Sequence, residues 1–294
     1  MHFLTTTASQ NLPTGQDDRF NQELLSLWLH RYKSQHTKRA YGKDVEDFLT
    51  FVGNKPLHQV TYLEMQGFEE KLALSGLAPR SINRKIHAVR SLLTFGCERV
   101  RMLPTNVGAV MESYKVKDDL AQRILTEEEV FRIFTLETGA RNGLLLRFLY
   151  YTGLRVSEIV AIKWKDLAAR SNGEGQVTVF GKGGKTRVVL IPEQVWRSLS
   201  ALERGKSTDP LFPSQKGGGH LNPSQAFRIV RAAGDRAGIE GVSPHWLRHS
   251  HASHSMDRGC PLHVVQATLG HSNPATTGRY LHARPSDGSG RYLG

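Results

Sequence analysis

Cysteine is scarce: Cys97 and Cys260 are the two thiols in 294 residues, and no CxxC spacing occurs. A disulfide framework or a thiolate metal site is therefore not expected, and a reducing cytoplasm is the expected compartment. No apolar run approaches the roughly 18–20 residues that span a bilayer, so no membrane partner is expected. Residues 1–18 contain no hydrophobic block of the signal-peptide kind and read as a flexible lead. Acidic residues are also in deficit. With 27 Asp and Glu against 39 Lys and Arg, the net charge is +12 and the pI about 9.8. A polyanion is the expected partner, nucleic acid first, because each cation set against a phosphate releases a counterion. Charge alone does not separate DNA from RNA or from an anionic membrane surface. Apolar residues are present in ordinary measure, at 39%, enough for one large domain or two of common size.

Residues 19–108 read as a helical domain. Leu24, Leu25, Leu27, Trp28 and Leu29 mark a first helix. Thr37 is placed to cap a second, which carries Tyr41, Val45, Phe48, Leu49 and Val52 and breaks at Gly53-Asn54. Thr61 and Glu64 form a capping box for a third. Pro79 leads into a fourth whose basic flank, Arg80, Arg84, Lys85 and Arg90, is either a solvated face or a DNA-facing one. Residues 109–124 lack periodicity and read as a linker to a second domain, 125–294. There Thr126 caps a helix, a strongly apolar one runs from Gly143 to Tyr151, and Val156 to Trp164 reads as helical. Residues 176–180 and 187–191 are strands of a hairpin, and helices resume near Val195 and Ala226. The fold class is mainly α with a small β-hairpin or sheet: a helical domain followed by a mixed α+β domain.

The chain is organised around residues 245–280. His245 and Arg248 stand at i, i+3, on one face of a helix. Gly270 is a C′ residue closing the helix that follows Pro261, leaving His271 at an exposed end. Asn273-Pro274 opens another helix, with Tyr280 near the end of its second turn. Upstream, Arg155 follows the break at Gly153 with Glu158 one turn later, an arrangement that also suits a structural ion pair. Lys182 and Lys185 lie in the loop of the hairpin.

Two tempting readings fail on chemistry. Gly-Lys-Gly-Gly-Lys-Thr resembles part of a phosphate-binding loop, but Val179 stands where that pattern needs glycine and a β-branched strand follows instead of a helix. Seven of the 13 histidines fall between His245 and His282, with His245 and His249 four apart as in helical zinc sites. The general-base glutamate of such sites is missing, and Arg248 would repel a cation. Phosphoryl transfer without a metal or other cofactor is the remaining option. Two guanidiniums match the non-bridging oxygens of a phosphodiester and oppose the charge of its transition state. A tyrosine oxygen in line would attack, and a lysine or histidine would protonate the departing oxygen.

Five motifs then stand in order: Thr-Gly-Leu-Arg-Val-Ser-Glu (152–158), Gly-Lys-Gly-Gly-Lys-Thr-Arg (181–187), His-Trp-Leu-Arg-His (245–249), Leu-Gly-His-Ser (269–272) and Tyr280. Together they resemble the signature of the tyrosine recombinases, the phage integrase family, and the helical first half is similar to that family's core-binding domain. The resemblance implies that Arg155 and Arg248 clamp the scissile phosphate, with Glu158 orienting the site. Lys182, or failing it Lys185, would be the general acid. His245 would assist proton transfer at the nucleophile, His271 would bond a phosphate oxygen, and Tyr280 would attack, with Tyr292 an understudy. It further implies a 3′-phosphotyrosyl intermediate, double-stranded DNA bearing a specific site, a homo- or hetero-tetramer on that DNA, possible accessory proteins and no need of ATP. Two departures stand out: Ser253-His254-Ser255-Met256 is unusually polar for its helix, and only a short Ser/Gly tail follows Tyr280. Two other classes share some of these features, a type IB topoisomerase-like enzyme and a non-catalytic architectural DNA-binding protein.

Overall fold

A period of three to four residues in the apolar side chains builds most of this chain, as the computed structural model shows. It describes residues 15–115, 120–181, 186–200, 202, 205–215, 219–271 and 273–283. The chain divides into two compact units, Met1–Lys117 and Asp118–Gly294. Among the described residues no helix is long and apolar enough to cross a membrane.

Among the described residues the first unit has four α-helices, α1 (Gly15–His30), α2 (Gln35–Phe51), α3 (Tyr62–Ala73) and α4 (Pro79–Thr94). Trp28, Val45, Phe48, Met65, Ile86 and Leu92 pack with no measurable exposure at their centre. Most of the sequence expectations hold, including the Thr61–Glu64 capping box, in which the carboxylate accepts from the Thr61 backbone N–H at 2.8 Å. One cap differs. Ser34 caps α2, its hydroxyl accepting from the Thr37 N–H at 3.3 Å, so Thr37 lies within the first turn. Serine serves the cap because a short hydroxyl reaches back to the open amides of the first turn.

The basic flank of α4 is only partly a free surface. Arg84 is bonded to Asp44 and Lys85 to Asp47, with Lys85 also 3.5 Å from Asp44. These two cations therefore join α4 to α2, whereas Arg90 lines a surface groove with Arg31, His87 and Arg99. The expected linker is also narrower than 109–124. Met111 belongs to the core of the first unit, and Leu120 and Ile124 to a cluster of the second. Apolar side chains at both ends of the stretch are drawn into the nearest core, and residues 116–119 lie outside the described residues.

The second unit opens with α5 (Glu127–Thr135), whose Thr126–Glu129 capping box forms as expected. Next come α6 (Ala140–Thr152) and the single turn α7 (Val156–Ile159). Helix does not continue to Trp164. Ile162 to Lys165 instead pair their backbone with 207–211, through Trp164 N–H to Asp209 O at 3.1 Å and Leu211 N–H to Ile162 O at 2.9 Å. Lys163 is extended, and a 3-10 turn follows at Trp164–Asp166.

The sheet is an antiparallel meander, β1 (Leu167–Ala169), β2 (Gly175–Phe180) and β3 (Thr186–Ile191), in the order β1-β2-β3. The short β1 is an addition to the expected hairpin. On β3, Val189 and Ile191 face the core, and Arg187 shares their parity. Five helices complete the unit: α8 (Glu193–Ser200), α9 (Pro223–Arg236), α10 (Pro244–Asp257), α11 (Leu262–Leu269) and α12 (Pro274–Ala283). The polar stretch of α10 turns inward, since Ser253 and His254 are buried and the His254 Nδ1 meets the Tyr150 hydroxyl at 2.9 Å. A tyrosine on α6 thus takes the place of an apolar neighbour.

Candidate active site

Gly153 closes α6 in the left-handed region, with φ of 60°, and this reversal sets Arg155 at the N-cap of α7. The Arg155 backbone N–H donates to Glu158 Oε2 at 2.8 Å, and its Nη1 donates to Oε1 at 3.1 Å. The expected Arg155–Glu158 pair is therefore present. A third residue completes it. Arg187, at the start of β3, donates from Nη1 and Nη2 to the two Glu158 oxygens, each at 2.9 Å. Burial works to raise the Glu158 pKa, but the hydrogen bonds from Arg187 and the Arg155 N–H outweigh it and the carboxyl sits below its ordinary range.

The three arginines converge on one helix end. Arg187 Nε donates to Thr268 O at 2.9 Å, Arg248 Nη2 to Leu269 O at 2.8 Å, and Arg155 Nη2 to Gly270 O at 3.4 Å. The last carbonyls of α11 have no partners within the helix and carry the negative end of its dipole, which is why cations gather there. Gly270 turns the chain with φ of 65°, and the next residue is His271.

Arg248 is buried, with 3% of its surface exposed, and donates also to Gly153 O. Burial lowers its pKa to about 10, and the Arg155 charge adds to that, so it stays cationic at neutral pH. Its Nη2 lies 2.9 Å from His271 Nε2. A guanidinium can only donate, so His271 Nε2 is the acceptor and the ring proton sits on Nδ1, 2.8 Å from the Thr277 hydroxyl. Burial, then Arg248, brings the His271 pKa down to about 4, which makes this neutral tautomer the ground state. His271 is thus half-buried and bonded on both nitrogens, not at an exposed end.

Tyr280 sits on α12 with 5% of its surface exposed. Burial raises its pKa and the Arg248 charge draws it back, so the phenol lies within the field of that guanidinium. Its hydroxyl is 2.6 Å from Nδ1 of His249. The sequence reading assigned the proton-transfer role to His245. In the structure His245 is exposed and stacks on His249, ring centroids 6.2 Å apart, and among the described residues the imidazole bonded to the phenol is that of His249. The reason is helical geometry: positions 245 and 249 share a face of α10, and the later one is nearer α12.

Arg155, Glu158, Arg187 and His271 line one wall system of a cleft of about 920 Å³, with Phe180, Gly181 and Thr186 from the hairpin opposite. Lys182 and Lys185 lie outside the described residues, as does Tyr292. Arg187 was missed as a site residue, although an arginine sharing the parity of Val189 and Ile191 signals an inward charge that needs a partner. In the sequence the spacing of His249 from His245 marks it only as a candidate zinc ligand. Among the described residues no cluster of three or more His, Cys, Asp or Glu could hold a metal ion.

Residues 123–287 match the phage integrase family and residues 20–99 match the phage integrase N-terminal SAM-like domain. This chain belongs to the phage integrase family. It is a tyrosine recombinase, an enzyme of DNA cleavage and rejoining, and its mainly helical two-domain fold is the fold of that family. It is 34% identical over 269 residues to the tyrosine recombinase XerC of Xanthomonas campestris pv. campestris (strain B100), covering 88% of this chain and 82% of that protein. It is 30% identical over 287 residues to the tyrosine recombinase XerD of Rickettsia bellii (strain RML369-C), covering 89% of this chain and 93% of that one. In three dimensions it is similar to a lambda integrase dimer bound to a COC′ core site, with a TM-score of 0.75 at 18% identity, covering 92% of this chain and 96% of that one.

Proposed function

We propose that this recombinase cuts one strand of a specific double-stranded DNA site with the Tyr280 oxygen, and that Arg155 and Arg248 hold the scissile diester. The carrying observation is the convergence of Arg155, Arg248 and His271 on the end of α11, with Tyr280 inside the electrostatic reach of Arg248. Fixed guanidiniums placed where charge builds up need no reorganisation during reaction, which is the main source of their effect. Glu158, and Arg187 behind it, hold Arg155 in place. His271 accepts from Arg248 at Nε2 and so steadies that guanidinium, and its bond to a phosphate oxygen is proposed from the motif.

The phenol oxygen attacks phosphorus, the bond to the 5′-oxygen breaks, and a 3′-phosphotyrosyl ester forms. The new ester retains the energy of the broken diester, so a 5′-hydroxyl from another strand can reverse the step without ATP. Lys182, with Lys185 second, is the general acid assigned from the sequence. Tyr280 is covered in the free protein, with 5% of its surface exposed.

Strand exchange requires several active sites on paired duplexes, and we take the working form to be a homo- or hetero-tetramer on DNA, with accessory proteins where the site demands them. XerC and XerD are two distinct recombinases similar to this chain, which supports a second recombinase as partner. The helical unit, residues 19–108, serves as the core-binding domain ahead of the catalytic one, residues 125–294. That separate unit favours recombination over topoisomerase-like relaxation. Arg80, Arg84, Lys85 and Arg90 remain its proposed DNA-facing set, with Arg90 the strongest of them in view of the ion pairs of Arg84 and Lys85. The cytoplasm, where chromosomal DNA lies, is the proposed compartment.

The test is Tyr280→Phe on a nicked suicide substrate. The variant binds its site with wild-type affinity and forms no covalent protein–DNA adduct; adduct formation would place the nucleophile elsewhere.

A further inference from the structure

The proton of the attacking phenol needs a destination, and the structure offers one in His249, the last residue of the third motif, to which the resemblance gives no role. His249 follows Arg248 on α10, about 100° further round the helix, and its ring meets Tyr280 on α12. The Tyr280 hydroxyl is 2.6 Å from His249 Nδ1, a short and direct contact across the α10–α12 boundary. A neutral phenol donates this bond, so Nδ1 is the acceptor and the ring proton is on Nε2.

We infer that His249 is a catalytic residue, the base that receives the Tyr280 proton as the phenol oxygen attacks phosphorus. This rests on Tyr280 being the nucleophile. In the step, the O–H bond breaks, its proton passes to Nδ1, and the oxygen forms the bond to phosphorus. The 5′-oxygen departs with the electron pair of the broken P–O bond and takes a proton from the general acid, the role given above to Lys182 or Lys185. Rejoining runs the same transfers backward and returns the proton from Nδ1 to the phenol.

The surroundings fit a base that works only with DNA in place. The His249 ring is bonded to Tyr280 and stacked on His245, and the charges that act on it are those of Arg248 on its own helix, Arg279 on α12 and Arg123 ahead of α5. Burial and then these positive neighbours lower its pKa to about 4, so the ring is neutral and open to a proton at working pH, though a weak base in the free protein. An arriving phosphate would offset the arginine part of that lowering. The same attack makes the phenol more acidic, because its oxygen gives up electron density to phosphorus. His245 has no such contact, and its place is to stack against the base.

The experiment compares His249→Gln and His249→Ala with the wild type and Tyr280→Phe on a nicked suicide substrate. Glutamine keeps a hydrogen-bonding group beside the phenol but cannot take up a proton. Binding of the DNA site by each variant reports the fold. His249→Gln is expected to form adduct about 100-fold more slowly, the lower end of what a positioned base contributes. Added imidazole should restore part of the rate of His249→Ala. A substrate whose 5′-bridging oxygen is sulfur needs no proton on its leaving group, so it should leave His249→Gln slow while it rescues a Lys182→Ala, Lys185→Ala double variant. Adduct formation by His249→Gln within about threefold of wild type would overturn the role, since a base contributes far more than that. So would a faster rate, which would mean that the bond restrains Tyr280, or rescue by the sulfur substrate, which would put His249 at the leaving group. Adduct from Tyr280→Phe would instead remove the nucleophile assignment itself.

Discussion

Arg187 meets Glu158 with both terminal nitrogens, each 2.9 Å from one carboxylate oxygen, and Glu158 in turn holds Arg155. A strand, a one-turn helix and the end of α11 are thereby joined through one buried carboxylate. Substituting Arg187 by Ala should cost about 2–3 kcal/mol in unfolding free energy, less than a fully orphaned buried charge because Arg155 still partners Glu158. Cleavage should fall further than stability does, as Arg155 loses its support. Arg187→Lys should recover little, because an ammonium cannot make the two parallel bonds. Urea unfolding together with single-turnover cleavage checks this, and full cleavage by Arg187→Ala would contradict it.

Gly270 is under two constraints at once. Its φ is 65°, and a Cβ there would lie 2.9 Å from Arg187 Nη1. Gly270→Ala should lose about 1–2 kcal/mol from the left-handed backbone alone. It should also push Arg187 off Thr268 O and Glu158, with cleavage impaired at temperatures where the protein remains folded. Gly238→Ala makes the control, since φ there is 70° and no atom lies within 4 Å of the added carbon. Equal cleavage by the two variants would count against the Arg187 contact.

Acid should unfold this protein early. His249, His251 and His271 each have pKa values lowered from 6.5 to about 4, by burial first, with Arg248 adding to it. In the unfolded chain the rings take up protons as pH falls through 6.5, whereas the folded rings resist until about 4. Stability is therefore full above pH 6.5 and declines between there and pH 4, by at most about 1.4 kcal/mol per pH unit for each ring. Partly exposed His271 contributes less than that limit. Thermal melts at pH 7.5 and 5.0 should show a marked drop in Tm, which His251→Asn would reduce if it folds. Equal Tm values would refute the shifts.

The basic residues of α4 should separate by salt dependence. Lys85 has 12% of its side chain exposed and engages Asp44 and Asp47, whereas Arg90 lines an open groove. Arg90→Ala should lower the slope of log affinity against log salt by about one, as the loss of one phosphate contact does. Lys85→Ala should leave the slope unchanged and lower stability instead. A slope change with Lys85 equal to that with Arg90 would restore Lys85 to the DNA face.

What the sequence determined by itself is the part written in local and periodic terms. Apolar spacing located the helices, Thr61–Glu64 and Thr126–Glu129 marked two helix starts, and Gly153 and Gly270 marked two stops. Motif order singled out Arg155, Arg248, His271 and Tyr280 as the proposed site. Boundaries slipped where distant backbone competed with local preference, as at Ile162–Lys165, which pair with residues 207–211. The tertiary structure alone decided which side chains touch. It set His249 and not His245 against the phenol, turned His254 inward to Tyr150, and bound Arg187 to Glu158. Three arginines from separate segments share the consecutive carbonyls of Thr268, Leu269 and Gly270, because the C=O groups at the end of α11 lack partners within the helix. Hydrogen-bond satisfaction between segments far apart in the chain leaves no period to read, so only the folded arrangement could reveal it.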